Sequence, residues 1–307
     1  MKSFRRLKAN LILISLCIMT GLSAQNKTVS KLEIYNIETG QRKVLKEFPH
    51  IIEAPNWTAD GKYLVYNSGG KIYQIEVQNS ASDIEIPTGF AVHCNNDHVL
   101  SASGNRIAIS HHTEEDGQSR IYVLPLTGGQ PVLITPMAPS YLHGWSPDEK
   151  TLAYCASRNG NFDVYTIPAD GGVETRLTTA EGLDDGPEFS PCGKYIWFNS
   201  VRTGLMQVWR MNANGAEQTQ MTFDADRNSW FPHVSPDGKK VVYIAYKAGD
   251  VAPGDHPPGK HVELRLMPAG GGEAQTLVNL FGGQGTLNVN SWSPDSKQFA
   301  FVSYVED

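Results

Sequence analysis

Cysteine is scarce in this chain of 307 residues, and the few cysteines do not form a disulfide framework. Cys17 lies in an N-terminal apolar stretch, which leaves Cys94, Cys155 and Cys192 as an odd number without close spacing. That pattern excludes a small disulfide-stapled scaffold. We expect three buried free thiols, with a single bridge as the alternative.

Long apolar runs are also absent, because the longest, residues 11–19, is too short to span a bilayer comfortably. A basic segment precedes it, and Leu22-Ser23-Ala24 follows with the small residues of a cleavage site. This order is typical of a secretory signal peptide, whereas lipid anchoring at Cys17 would need a small residue in place of Leu16. We therefore expect residues 1–24 to be removed, leaving an exported chain of residues 25–307 without a transmembrane segment.

Positive charge is in deficit, with 26 Lys and Arg against 32 Asp and Glu and a formal net charge of −6. Removing residues 1–24 takes away four basic and no acidic side chains, so the net charge becomes −10. Because binding to phosphates needs a basic face, this composition argues against nucleic acid as a partner. Gly-x-Ser-x-Gly and P-loop motifs are absent as well.

What the sequence does contain is one short motif repeated six times. A large apolar residue precedes Ser-Pro-Asp-Gly-Lys or a close variant, and this first residue recurs after 43, 45, 44, 45 and 58 positions. The six first residues are Trp57, Leu100, Trp145, Phe189, Val234 and Trp292. The last interval is long because of an insertion near residues 248–260.

The repeated motif has a local mechanism. Proline presets φ for a tight turn, Asp or Ser bonds to the local backbone, and Gly accepts positive φ. Alternating apolar runs such as Val241-Val242-Tyr243-Ile244 follow the turn and indicate a β-strand. A second strand-turn-strand pattern follows each of the first five copies, which gives four strands per repeat, as in a propeller blade.

The sixth copy ends after two strands, at the C-terminus. Residues 32–37 and 42–45, joined by Glu38-Thr39-Gly40, match the missing strand pair. The sequence therefore predicts an all-β fold: one six-bladed β-propeller over residues 25–307, with four antiparallel strands per blade. N-terminal strands pairing into the C-terminal blade would close the ring without a long exposed edge, and we expect a monomer.

Function is expected where the repeat is interrupted. Polar residues stand just before each turn motif, where the innermost strand enters the channel. Alone, each is explained as a channel-lining group that needs only a partner or water. Together they predict a ligand site at the channel mouth, formed by Glu53, Asn96, Asp97, His98, His143, Asp184, Asp185, Glu188, Trp230, His233, Asn288 and Asn290.

Histidine supplies the metal hypothesis. His98, His143 and His233 hold nearly equivalent positions in three repeats, and His, Asp and Glu suit a divalent ion. The sequence shows no local ligand spacing, so no cofactor is assigned with certainty. His256, in the insertion, is expected in a solvated loop, with closure over the channel mouth as the alternative.

The Ser-Pro-Asp-Gly-Lys turns, such as Ser235-Pro236-Asp237-Gly238-Lys239, resemble those of the TolB-like propellers of Gram-negative envelopes. The resemblance covers the whole mature chain. It implies a periplasmic propeller that binds other envelope components. Oligogalacturonate lyases look similar through the same turns, and they imply a metal held by propeller histidines in the central cleft.

Two functions follow as expectations. The first is an exported module that binds an envelope protein or a glycan through its irregular loops. The second is a metal-dependent lyase or hydrolase that acts on a saccharide at the channel mouth. Whether the chain is an enzyme stays open at this point.

Overall fold

The computed structural model describes residues 28–305, which form six antiparallel sheets arranged in a ring. The signal peptide predicted at residues 1–24 lies outside these residues. Each sheet is a blade, and its strand positions are called A to D from the central channel outward. Within residues 28–305, no helix is long and apolar enough to cross a membrane.

The chain begins with two strands that belong to the last blade, β1 (Ser30–Asn36) and β2 (Arg42–Phe48). Blade 1 holds β3 (Glu53–Trp57), β4 (Tyr63–Ser68), β5 (Lys71–Glu76) and β6 (Asp83–Ile86). Blade 2 holds β7 (Cys94–Leu100), β8 (Arg106–His112), β9 (Ser119–Pro125) and β10 (Val132–Leu133). Blade 3 holds β11 (Ser140–Trp145), β12 (Thr151–Arg158), β13 (Asn161–Pro168) and β14 (Thr175–Arg176).

Blade 4 holds β15 (Asp184–Phe189), β16 (Tyr195–Ser200), β17 (Gln207–Asn212) and β18 (Thr219–Gln220). Blade 5 holds β19 (Arg227–Val234), β20 (Lys240–Lys247), β21 (Lys260–Pro268) and β22 (Gln275–Gly282), with the predicted insertion between β20 and β21. Blade 6 combines β23 (Gln298–Tyr304) with β1 and β2.

Blade 6 confirms the predicted closure by both ends of the chain. β1 pairs antiparallel with β23 from Ser30 opposite Tyr304 to Asn36 opposite Gln298. Position A is irregular there: Trp292 forms an isolated bridge with Phe299, and the Ala300 N–H donates to the Ser291 carbonyl at 2.9 Å. The ring therefore closes with all six blades in place.

Side-chain hydrogen bonds explain the repeated turn. In blade 5, Ser235 Oγ donates to Asp237 Oδ1 at 2.6 Å and accepts the Lys240 N–H at 3.0 Å. Asp237 Oδ1 also accepts the Lys239 N–H at 3.1 Å, and Gly238 takes a φ of 70°, where a Cβ would be strained. These residues serve the turn and carry no chemistry.

The strand connections lie on two faces. The A–B and C–D turns share one, called the turn face, where neighbouring turns touch through the Asp237 N–H and Ser296 Oγ at 2.9 Å. The other, called the loop face, carries the D–A and B–C connections, and the Gln284 N–H donates to the Pro257 carbonyl between two of them. Its segments are residues 49–52, 69–70, 87–93, 113–118, 134–139, 159–160, 177–183, 201–206, 221–226, 248–259 and 283–286.

The core lies between neighbouring blades. One cluster joins Val99 and Ala108 of blade 2 to Trp145, Leu152 and Tyr165 of blade 3. This face-to-face packing makes each innermost strand a fixed support for residues at the channel.

The thiol prediction is correct at two of three positions. Cys94 and Cys155 are buried free thiols, but Cys192 is exposed because it stands in an A–B turn where its sister copies carry Asp or Ser. No disulfide joins them.

Candidate functional site

The innermost strands share an irregularity that aims polar groups into the channel. In blades 1 to 5 the register between positions A and B slips at a β-bulge, for example between Asp185 and Glu188 and between Trp230 and His233. Phe231 has a φ of 51°, and the Asn199 Oδ1 atom accepts its N–H at 3.0 Å. Because a bulge leaves its extra residue unpaired, it redirects side chains there.

A cavity of about 470 Å³ opens on the loop face beside these bulges. It brings together blades 2 to 5 and the connection into blade 6. Its lining is Asn95, Asp97, Tyr141, His143, Cys155, Phe162, Leu183, Asp185, Phe231, Gly254, His256, Gln284 and Asn288.

An acidic pair and a histidine dominate the polar side of this cavity. His143 Nε2 lies 3.1 Å from Asp185 Oδ1, and the Gly186 N–H donates to the same oxygen at 2.7 Å. Burial opposes ionisation of the Asp185 carboxyl, but the charge and hydrogen bond of His143 outweigh it and lower the pKa to about 2. Burial also opposes the charged form of His143, yet Asp185 and Asp97 raise the pKa of the imidazole above its ordinary value.

The pKa of Asp97 is shifted in the opposite direction from that of Asp185. Burial raises the pKa of its carboxyl to about 6, although the charge of His143 works against the shift. Asn95 Nδ2 donates to Asp97 Oδ2 at 2.6 Å. Two carboxyl groups thus face one cavity, one with a pKa above the ordinary value for aspartate and one with a pKa below it.

His256 closes over the aromatic side of the cavity. Its ring lies edge-on against Trp230 at 4.3 Å and Phe231 at 5.1 Å between ring centroids. Burial lowers the pKa of the imidazole, and Nε2 lies 4.0 Å from Asp185 Oδ2. The expectation of a solvated loop is therefore wrong at this residue, since aromatic packing holds it over the channel mouth.

Four of the predicted site residues line the cavity: Asp97, His143, Asp185 and Asn288. Trp230 packs against the His256 ring. Asp184 points elsewhere and forms an ion pair with Arg202 at 2.8 Å. The sequence indicated no role for Phe231, Phe162 or Gln284, because their contacts are with residues distant in sequence or on other blades, such as Tyr141 for Phe162 and His143 for Phe231.

Glu188, His233 and Asn290 form a separate buried network. Glu188 Oε2 lies 2.6 Å from His233 Nδ1, and Oε1 accepts the Val234 N–H at 3.0 Å and Asn290 Nδ2 at 2.8 Å. His233 Nε2 lies 3.1 Å from the Leu287 carbonyl. This network joins blades 4, 5 and 6 around the channel.

Glu53 and His98 have local partners in blades 1 and 2. Asn96 Nδ2 donates to Glu53 Oε1 at 3.2 Å, and burial raises the pKa of Glu53. His98 is fully buried, with Nε2 3.4 Å from the Val65 carbonyl, and burial lowers its pKa to about 4. Their surroundings are structural.

The histidine metal hypothesis does not fit this geometry. His98, His143 and His233 contact a carbonyl, Asp185 and Glu188 respectively, each in its own network. Among residues 28–305, no group of three or more His, Cys, Asp or Glu side chains is arranged to hold a metal ion. The three histidines therefore lie in separate networks in this structure, and the lyase or hydrolase alternative stays a prediction.

The raised pKa of the Asp97 carboxyl makes the stability of the folded protein depend on pH, and substitution of this residue removes that contribution. Its folded pKa of about 6 exceeds the ordinary 3.8, so the folded state binds more protons between these values. The corresponding stability is present below pH 3.8 and is lost as pH rises through 6. His98 acts oppositely, because its folded pKa of about 4 lies below the ordinary 6.5 and stability is lost as pH falls.

The quantity to compare is the free energy of unfolding at pH 7.5 minus that at pH 4. We expect this difference to be about 2–3 kcal/mol more positive in Asp97→Asn than in the wild type, because the variant lacks the carboxyl that loses stability as pH rises. Urea denaturation at the two pH values measures this difference. Glu181→Gln, which removes an exposed carboxyl, serves as the control. Parallel pH profiles for wild type and Asp97→Asn would contradict the assignment.

Comparison with known proteins now decides the family. The family described as TolB beta propeller domain matches residues 99–257, which is about half of the chain. The chain belongs to the TolB β-propeller family. An uncharacterized protein of Agrobacterium fabrum is 50% identical to this TolB-like propeller over 275 residues, covering 90% of this chain and 92% of that one.

A solved structure of a TolB candidate from Agrobacterium tumefaciens superposes on the TolB-like propeller with a TM-score of 0.87 at 48% identity, covering 91% of this chain and 99% of that one. The Tol-Pal system protein TolB of Francisella tularensis is 27% identical over 209 residues, which is 66% of this chain but only 47% of that protein. An oligogalacturonate lyase with manganese shares the fold alone, with a TM-score of 0.51 at 12% identity and coverage of 82% of this chain and 67% of the lyase. Both resemblances found in the sequence are thereby confirmed at the level of fold.

Proposed function

We propose that this TolB-like propeller is an exported module that binds a basic envelope protein through its loop face. One observation carries the proposal: large apolar side chains are exposed on the loops that surround the cavity. Exposed apolar groups gathered on one face mark protein interaction sites.

The exposed apolar side chains recur in four of the loops between blades. Ile51, Phe90, Val92, Met137 and Phe223 are each exposed on a D–A connection. Phe223 is 75% exposed. Most of the other exposed large apolar residues lie on the outermost strands. The exposed apolar side chains that surround the channel are therefore those of the loop face.

Charge separates the two faces and indicates the chemistry of the partner. The loop-face segments contain Glu114, Glu115, Asp116, Glu181, Asp224, Asp226, Asp250 and Asp255, with Arg202 as their one Lys or Arg. Arginines of the adjoining strands pair with Asp116, Asp224 and Asp226, which leaves the other five acids as the excess negative charge of this face. The A–B turns of the opposite face are balanced in charge, with as many acidic as basic residues: Asp60, Asp148, Glu149, Asp237 and Asp295 against Lys62, Lys150, Lys194, Lys239 and Lys297. An acidic face attracts a partner with a basic surface and speeds their encounter.

The envelope setting is part of the proposal. It is supported by the signal-like start of the sequence and by the relative whose name assigns it to a Tol-Pal system. We propose that residues 1–24 are removed on export. N-terminal sequencing of the purified protein would then begin at Gln25.

Site-specific photo-crosslinking in cells tests the binding face. A photoreactive residue at Phe90 or at Phe223 is expected to capture the same protein, because both side chains project from the loop face on different blades. Val173, which is 86% exposed on the turn face, is the matched control and should capture none. Phe223→Ser is expected to weaken binding of the captured protein about tenfold.

Two outcomes would overturn the proposal. In one, crosslinks form chiefly at Val173. In the other, the species captured at Phe90 and Phe223 is a glycan or an acidic protein.

A further inference from the structure

The cavity on the loop face holds negative charge that no fixed cation balances. Asp97 and Asp185 are both buried, and within residues 28–305 neither lies within ion-pair distance of a lysine or arginine. The nearby histidines are His143, beside both carboxyls, His112 near Asp97, and His256 near Asp185, and burial disfavours the charged form of His256. Buried carboxylates are stable when a positive group pairs with them, so this site is complementary to a cation.

Aromatic rings complete the lining of the cavity. Tyr141 and Phe162 lie 6.4 Å apart between ring centroids, and Phe231 stacks on His143 at 5.7 Å. An ammonium or guanidinium group is attracted to such rings by their negative faces. A cavity lined by both carboxylates and aromatic rings is therefore suited to an organic cation.

Two buried polar groups in the lining have no partner within the described residues. His143 is 5% exposed, and its Nδ1 atom makes no hydrogen bond. Asn288 is 1% exposed, and its Oδ1 atom accepts the Gly285 N–H at 2.6 Å, which fixes the amide and leaves Nδ2 without an acceptor. Buried donors of this kind are normally satisfied, so they indicate a ligand that also presents a hydrogen-bond acceptor.

We propose that this cavity binds a primary ammonium or guanidinium group, placed between the carboxylates of Asp97 and Asp185 and the rings of Tyr141, Phe162 and Phe231. The group belongs either to a Lys or Arg side chain of the basic partner, in which case the site rests on the proposed function, or to a free small amine. The nearby acceptor, such as a peptide carbonyl, would take the Asn288 amide proton.

Calorimetric titration tests the site in four arms. The probes are n-butylammonium, its neutral counterpart 1-butanol, acetyl-Ala-Lys-Ala-amide, and the same peptide with norleucine in place of lysine. We expect both cationic probes to bind at least tenfold tighter than their neutral counterparts. A lysine peptide that binds about tenfold tighter than n-butylammonium assigns the site to a partner side chain, whereas equal affinities assign it to a free amine.

Variants locate the binding. Asp97→Asn and Asp185→Asn are each expected to weaken the lysine peptide about tenfold, while Glu181→Gln, the control on an exposed carboxyl of the same face, leaves it unchanged. Phe162→Leu changes a side chain that is 36% exposed, so folding is preserved, and it should weaken the cation two- to fivefold. Leu133→Val, an exposed apolar position on the outermost strand of blade 2 and outside the cavity lining, is its control.

Equal affinity for cationic and neutral probes in the wild-type protein overturns the proposal without reference to any variant. So does cation binding that survives Asp97→Asn, Asp185→Asn and Phe162→Leu alike. Photo-crosslinks at Phe90 and Phe223 that persist without cation binding would show that the loop face docks its partner without using this cavity. The two proposals can thus fail separately.

Discussion

A protein that lacks residues 25–48 is expected to fail to fold. These residues supply β1 and β2, which are half of blade 6, and Leu32 and Ile34 of β1 are buried against Val302 and Ala300 of β23. Their loss exposes one face of the neighbouring blade and leaves β23 as an unpaired edge. We expect no cooperative melting transition by circular dichroism, and aggregation on concentration.

A circular permutant shows whether the deletion acts by removing strands β1 and β2 or by changing the position of the chain end. The Val305 N–H donates to the Val29 carbonyl at 2.9 Å, so the two ends of the described chain are adjacent. A short Gly-Ser linker between them, with a new opening in the loop at residues 248–259, keeps every strand. We expect this permutant to melt within a few degrees of the wild type, and a permutant as unstable as the deletion would contradict the explanation.

Glu188→Ala is expected to lower the free energy of unfolding by about 3–5 kcal/mol. The carboxylate is 6% exposed and contacts His233, Asn290 and the Val234 N–H. Its removal leaves the His233 ring and the Val234 N–H without this partner inside the protein, whereas Asn290 Nδ2 retains the Val234 carbonyl as an acceptor. Glu188→Gln retains one oxygen acceptor and should cost about half as much. Urea denaturation measures both.

The control is Glu181→Ala, which removes an exposed carboxyl just before the same blade and should change stability by no more than about 0.5 kcal/mol. Should Glu188→Ala match that small change, the network would contribute little to joining blades 4 to 6.

The fold was predictable because the turn in each repeat is determined by residues within that repeat. The turn at Ser235 and Asp237 is stabilised by contacts within five residues, so its residues report its geometry directly. The closure by β1 was also predictable, because residues 32–45 repeat a pattern that the last copy lacks. Such local signals survive without knowledge of the tertiary structure.

The candidate site was only partly predictable, for the opposite reason. The polar character of Asp97, His143 and Asp185 is visible in the sequence, but their sorting into a cavity and a buried network depends on contacts between blades. The distance from His256 to Trp230 is set by how a twelve-residue loop folds back, which no repeat specifies. Equivalent positions in the repeat therefore gave His98, His143 and His233 a shared role that their neighbours do not support.

The shared blade also sets an order of events when the chain folds. Blades 1 to 5 each use contiguous strands, so each can form as soon as its own segment is available. β1 can pair at once with β2, but its other edge stays unpaired until β23, which begins at Gln298, has been made. Contacts of such long sequence separation form late, because closing a long loop costs entropy before it is rewarded. We therefore expect closure of the ring to be the last and slowest step of folding.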